Sequence, residues 1–374
     1  MPIGKRLEVG LIRANNVKDE VLIDILDHIG IIYSKGNIDS LSCIIASTKI
    51  NDSKLTGKNV IIADEIIPLD DILNMLSGSP SKVGDNFYLE INEYEKRILD
   101  AIRSAYRELD IPLVRKWYWP NLAKACCVLT HDIDWLTYSP FHMIILRTQP
   151  LTKILHLIYR YLFAGIDYGN NIPEILEIER NHKVKSTFFF MTDYNKDNAK
   201  GRGAERLVKE GGFEIGLHGS RGSHKDINAL RAELDRLQKN TGIMAEGVRY
   251  HMLKFMAPLT WEVINNAHLT YDTTYSDHYF GFKIPLCYPF HPIDRTNDKR
   301  FTVLEIPTAF MDWIALNRMY NEDQCIEILR KIMTAIEGHN GCFAVNFHNT
   351  YLNINTFNGI YKTYIWILDE LVNR

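Results

Sequence analysis

Apolar residues recur at helical spacing through residues 17–29, where Val21, Ile25, Leu26 and Ile29 share a face and acidic residues gather near the start. Two short runs rich in β-branched residues, 41–46 and 59–63, read as buried strands. Residues 94–109 form a second strongly periodic helix, and Pro112 and Pro120 punctuate a linker behind it. From residue 123 the pattern changes to strand followed by helix, again and again. Strands are expected at 125–129, 186–191, 214–217, 247–250, 270–271, 303–306 and 342–347, with helices at 172–182, 202–210, 225–241, 258–267 and 322–337. Such alternation predicts a parallel sheet or barrel. The chain therefore reads as a small α/β unit of unassigned role over residues 1–120, then a β/α barrel over 121–374. No internal repeat or low-complexity tract interrupts it.

Polar residues follow the strands in an ordered way. After the apolar run ending at Leu129 come Thr130, His131, Asp132, Ile133 and Asp134. Leu217 is followed by His218, Val248 by Arg249, Tyr250 and His251, and Phe347 by His348. The C-terminal strand ends of a barrel form one rim, so these side chains are expected to meet in one pocket. Carboxylates and imidazoles together suit a divalent metal. Singly, each has a blander reading, since an Asp-x-Asp is often a capped turn and a histidine after a strand is often structural.

Composition narrows the classes. The 374 residues are 46% hydrophobic and 24% charged with a formal net charge of -3, enough to bury a large core and without the basic excess of a nucleic-acid binder. Six cysteines form no Cys-x-x-Cys pair and lie mostly in apolar surroundings, which points to buried thiols in a reducing compartment. The first residues have no apolar signal-peptide core, so a cytoplasmic location is expected. Residues 141–163 are apolar, but Arg147, Pro150, Lys153 and Arg160 interrupt them. They are expected to pack as an amphipathic helix, with lidding of the site or contact with a membrane surface as alternatives.

The segments Thr130 to Asp134, Ser186 to Phe190, Glu214 to His218, Arg249 and Phe347-His348 resemble the NodB-homology polysaccharide deacetylases, a carbohydrate esterase superfamily. The resemblance covers roughly residues 123–374. It is nearest to a divergent branch with a His-Asp-x-Asp first motif, a Gly-x-Arg-x-His-x-x-x-Phe segment at Gly247 to Phe255, and a Cys-Tyr-Pro-Phe-x-Pro segment at Cys287 to Pro292. It implies a distorted (β/α)7-type barrel and a divalent metal, usually zinc. The implied reaction is hydrolysis of N-acetyl groups on amino sugars, in a glycan-biosynthesis setting. It further implies Asp132 as general base, Arg249 as the holder of its carboxylate, His348 as general acid, and Asp134 and His218 as metal ligands. Trp313 corresponds to a pocket wall.

One position departs from the pattern. The usual second metal histidine, four residues after the first, is replaced here by Gly222. His251 or His224 is left to substitute. His251 is preferred because it lies just beyond Arg249 at the rim, whereas His224 lies beside an expected helix start. Tyr250, Tyr288 and Trp313 are candidates to stack on a sugar ring. The expected ligand is an N-acylated sugar, a sugar nucleotide or a lipid-linked glycan. Two other readings remain: hydrolysis of another amide, such as a ureide, imide or formamide, and an inactive carbohydrate-binding barrel.

Overall fold

The structure is a computed structural model. It describes residues 8–13, 16–35, 41, 43–49, 55–78, 84–136, 151–164, 171–192, 198–220, 222–353 and 357–373.

The N-terminal part holds a parallel sheet of β1 (Val9–Ile12), β2 (Tyr33–Lys35), β3 (Cys43–Ala46) and β4 (Asn59–Ile62), in the order β2-β1-β3-β4. Helix α1 (Val17–His28) crosses from β1 to β2; α2 (Leu69–Leu76) and α3 (Glu90–Glu108) follow β4. Helix α1 starts where a reciprocal cap allows it: the Asn16 side chain accepts from the Asp19 amide, and the Asp19 carboxylate accepts from the Asn16 amide. The sequence pattern anticipated α1, α3, β3 and β4 but not β1 and β2. Gly10 breaks the apolar run of β1, and β2 reads Tyr33-Ser34-Lys35, so neither shows the unbroken apolar run that marks β3 and β4.

The second sheet holds eight strands, all parallel. They are β5 (Cys126–Ile133), β6 (Thr187–Phe190), β7 (Glu214–Gly219), β8 (Gly247–Tyr250), β9 (Tyr271–Asp272), β12 (Leu304–Glu305), β13 (Thr308–Met311) and β14 (Cys342–Asn346). A separate hairpin of β10 (Ile293–Asp294) and β11 (Lys299–Arg300) precedes β12. The spatial order is β12-β9-β8-β7-β6-β5-β14-β13. The end strands β12 and β13 are separated in the chain only by Ile306 and Pro307. Opposite edges joined by two residues require the sheet to roll almost closed, so β12 and β13 act as one broken barrel strand. Counted that way the sheet is a distorted seven-strand barrel, as the sequence implied.

Among the described residues, the helices that surround or extend the sheet are α4 (Leu151–Ala164), α5 (Ile172–Asn181), α6 (Asn198–Glu210), α7 (Ile227–Thr241), α8 (Leu259–Asn266), α9 (Asp312–Asn317) and α10 (Glu322–Glu337). A final helix, α11 (Asn358–Asn373), packs on α10. The helices expected from residue 172 onward agree with observed ones to within a few residues, except that 202–210 begins earlier, at Asn198, while α2, α9 and α11 were not anticipated. Residues 141–150 of the apolar stretch lie outside the described residues, and its remainder forms α4. Ile154 and Leu157 of α4 are buried, whereas Leu151, Leu155, Tyr159, Leu162 and Phe163 are exposed, Phe163 at 76%. No described helix is long and apolar enough to cross a membrane. All six cysteines are free and at least partly buried.

One continuous apolar cluster runs through both sheets, from Val9 and Leu26 to Val345 and Leu368. The bidentate pair of Arg300 with Asp24 and the bond from Trp119 to the Asn340 carbonyl tie the two parts further.

Candidate active site

Side chains alternate across a strand, and on β5 this sorts the first motif into two jobs. Thr130 and Asp132 face the barrel axis, where Arg249 meets both. His131 faces the helices instead. Its Nδ1 donates to the Phe347 carbonyl and its Nε2 meets Glu179 of α5 at 2.9 Å. Glu179 in turn accepts from Ser186 and Tyr364. The histidine of the motif thus clamps β5 to α5 and β14 while the aspartate works on the inner side.

Arg249, on β8, is fully buried, and every one of its N–H groups is placed. It donates to Thr130, Asp132, Thr273 and Thr308 side chains and to the Thr273 carbonyl. A buried guanidinium needs this degree of pairing. Asp132 receives Arg249 on one oxygen at 3.1 Å and the Asn346 amide on the other at 2.7 Å. Burial pushes its pKa up, but the charges of Arg249, His218 and His348 outweigh burial and hold it below the usual carboxylate range. Asp132 is therefore an ionised, fixed acceptor at the cleft floor.

Asp134 stands two residues further along, past the end of β5. Its Oδ1 lies 3.1 Å from His218 Nε2 and 3.8 Å from His251 Nε2, and its Oδ2 lies 3.8 Å from His348 Nε2. Ligand atoms of Asp134, His218 and His251 all fall within 4.8 Å of one another. His218 Nδ1 bonds the Arg249 carbonyl at 2.8 Å, and a carbonyl only accepts, so this nitrogen carries the proton. Nε2 then meets the Asp134 carboxylate only through a second proton or a shared cation. One carboxylate and two imidazoles, one of them oriented by a backbone carbonyl, fit a divalent metal.

The backbone explains the departure at Gly222. Its φ is +113°, a conformation that strains any residue with a side chain. A histidine is disfavoured there, and His251 supplies the second imidazole from β8's far end. Met252 and Leu253, both at positive φ, turn the chain sharply behind it. His224 does not join this group; its ring lies against Tyr250.

His348, just beyond β14, is gripped by Asp312. The Asp312 carboxylate accepts from both the His348 amide and Nδ1, at 2.7 and 2.6 Å. Burial alone would lower the histidine's pKa, but Asp312 and then Asp134 and Asp132 raise it to about 10. Nε2 faces the cleft, 3.9 Å from Asp132 and 3.8 Å from Asp134. The imidazole is thus positioned as a proton donor.

The cleft over these groups has a volume of about 160 Å³. Apolar side chains Met252, Leu253, Met311 and Trp313 border it. Trp313 is half-exposed at its edge, beside His278. Tyr250 borders the cleft too, but its ring is buried against Gly219. Tyr288 is elsewhere: it stacks on His28 at 4.4 Å beneath α1, and the structure does not bring it to the cleft. Asp312 and Asn346 were missed in the sequence. Asn346 had a signal, because period two puts it on the same face of β14 as His348. Asp312 had none, since its partner is 36 residues away.

Residues 162–258 match the family model described as polysaccharide deacetylase. The resemblance to that family, read first from the motifs, is thus shown. The matched stretch is under half of the chain and contains His218, Arg249 and His251. Solved structures similar to the chain include a provisionally assigned polysaccharide deacetylase from Mycobacterium smegmatis (18% identity, 68% of this chain and 86% of that one, TM-score 0.47). Others are the Puue allantoinase (13%, 69% and 87%, TM-score 0.49) and a carbohydrate esterase family 4 pseudoenzyme from Bacillus anthracis (16%, 68% and 63%, TM-score 0.37). No curated protein matches the chain.

Proposed function

We propose that the chain is a metal-dependent hydrolase that removes an N-acyl group, an acetyl group above all, from an amino sugar during cell-surface glycan biosynthesis. The observation that carries this reading is the convergence, on one cleft, of a metal-fitting triad with a buried, ionised Asp132 and an Asp312-held His348. The complete triad favours an active enzyme over an inactive sugar-binding barrel.

Asp134, His218 and His251 would hold the metal, zinc by its donor set. Bound there, a divalent cation polarises an acyl oxygen and acidifies water. Asp132 takes a proton from the attacking water, kept ionised for that task by Arg249 and oriented by Asn346. His348 delivers a proton to the departing amine from its cleft-facing Nε2, while Asp312 holds the ring and balances the imidazolium charge. Trp313 offers a flat wall for a sugar ring at the cleft edge. The substrate fitting this reading is an N-acylated sugar, free, on a nucleotide or on a lipid, handled in the cytoplasm. The exposed apolar face of α4 supports peripheral membrane contact, which suits a lipid-linked form. Residues 1–120 would serve as a supporting domain.

The test is release of carboxylic acid from a panel of N-acetylated sugars, sugar nucleotides and ureides by zinc-loaded protein, before and after chelation. Acetate release from a sugar, lost on chelation, is the expected result, with Asp132→Ala and His348→Ala each at least about 10²-fold slower. Full turnover in both variants, or acid released only from ureides, ends this reading.

A further inference from the structure

A second cavity, of about 250 Å³, opens in the seam between α1, α3 and the barrel, away from the cleft. Its deep wall is neutralised already. His28 Nδ1 lies 2.8 Å from the Glu95 carboxylate, both largely buried, and Asn92 donates to the other Glu95 oxygen. The Tyr288 ring stacks on His28, and Tyr118 packs on both. The remaining charged lining is mostly cationic: Lys96, Arg103, Arg115 and Lys116, against Asp100 alone. Asp100 pairs with Arg103 from a highly exposed position, and Lys96 pairs with Glu93 across exposed surface. Such pairs cost little to open. Among the described residues, Arg115 and Lys116 form no ion pair. The Arg115 guanidinium donates to the Ile29 carbonyl, and burial followed by the nearby charge of Arg103 depresses its pKa.

The main chain that carries these two residues is pinned to the segment after α1. The Lys116 amide donates to the Gly30 carbonyl at 2.7 Å, and Ile31 and Arg115 form an antiparallel bridge. Gly30 has a φ of +73°, and a Cβ there would meet the Lys116 carbonyl oxygen at 2.1 Å. This close approach of the two main chains thus requires glycine. Trp117, next in the chain and half-exposed, borders the same cavity.

We propose that this seam cavity is a binding site for a small phosphate-bearing ligand, its phosphate held by Arg115 and Lys116 with Arg103 joining, and its remainder against Trp117 and Tyr118. Arginine and lysine without carboxylate partners gain charge-assisted bonds from a phosphate at little cost. A mostly cationic lining in a chain of net charge -3 is local and specific. The cavity size suits a diphosphate, a sugar phosphate or part of a nucleotide, not a polymer. The site would give residues 1–120 a ligand of their own, whatever reaction the cleft performs.

Calorimetry on the full chain, stripped of metal, decides the matter with three probes: inorganic pyrophosphate, glucose 1-phosphate and uridine diphosphate. Saturable binding is expected, weakened at least about tenfold in Arg115→Ala and in the surface charge reversal Lys116→Glu, and kept in Asp134→Ala. Each variant's melting curve checks that it is folded. Pyrophosphate binding as tightly as the other probes identifies the phosphate group as the whole determinant. Tighter uridine diphosphate binding that is lost in Trp117→Ala identifies a nucleotide. No binding of any probe at millimolar concentration, or binding that is lost in Asp134→Ala and kept in Lys116→Glu, overturns the proposal.

Discussion

His348 is pulled in two directions by its surroundings. Burial favours the neutral ring, while Asp312 behind it and Asp134 and Asp132 before it favour the cation, which wins. An acid catalyst is active only while protonated, so activity falls as pH rises through its pKa. Replacing Asp312 with Asn removes the largest raising influence and lowers that pKa. The alkaline limb of the kcat/KM profile of Asp312→Asn should therefore move to lower pH, with the acidic limb less affected. A limb that does not move would show that His348 is not the titrating acid. At this scale much of the site was legible: Asp132, Asp134, His218, Arg249 and His348 all follow apolar strand runs, and apolar runs are what sequence displays best. Asp312 was hidden because its meaning comes from a partner brought near only by the fold. Tyr288 misled because a tyrosine in an apolar run looks the same whether it faces a cleft or a domain seam.

Among the elements, α4 stands out. One face is anchored by Ile154 and Leu157, and the other presents five large apolar side chains to solvent. Lys153 and Arg160 lie within it, and residues 135–166 contain no acidic residue. An amphipathic helix with a basic complement binds anionic interfaces in plane. The chain should co-float with vesicles containing phosphatidylglycerol and less with pure phosphatidylcholine, and Leu155→Glu/Leu162→Glu should remove the difference. Equal behaviour of wild type and variant would exclude this helix as the anchor. The helix was visible as a stretch too interrupted to span a bilayer; its exposed side was not, because periodicity marks an apolar face without saying what covers it. The short strands β9 and β12 were located for a different reason, their β-branched or aromatic content, while β13 was missed behind Pro307.

For the whole molecule, Arg249 links stability to chemistry. It ties β5, the segment after β9, and β13 from within, and it neutralises Asp132. Arg249→Met leaves a buried carboxylate without its counter-charge, a change that costs about 3–5 kcal/mol. Denaturant titration should find that loss, and raising the pH should enlarge it, since Asp132 then has to ionise with only His218, His348 and Asn346 to favour its charge. A variant as stable as the parent would mean the carboxylate is solvated. The join at Ile306 and Pro307 has its own consequence. Only two residues bridge the edges of the rolled sheet, and a one-residue slip along a strand exchanges its two faces. A single added residue there would turn Thr308 from Arg249 and swing Asp312 out of reach of His348. Length variation in relatives of this chain should accumulate in the rim loops and stop abruptly at this hinge of two.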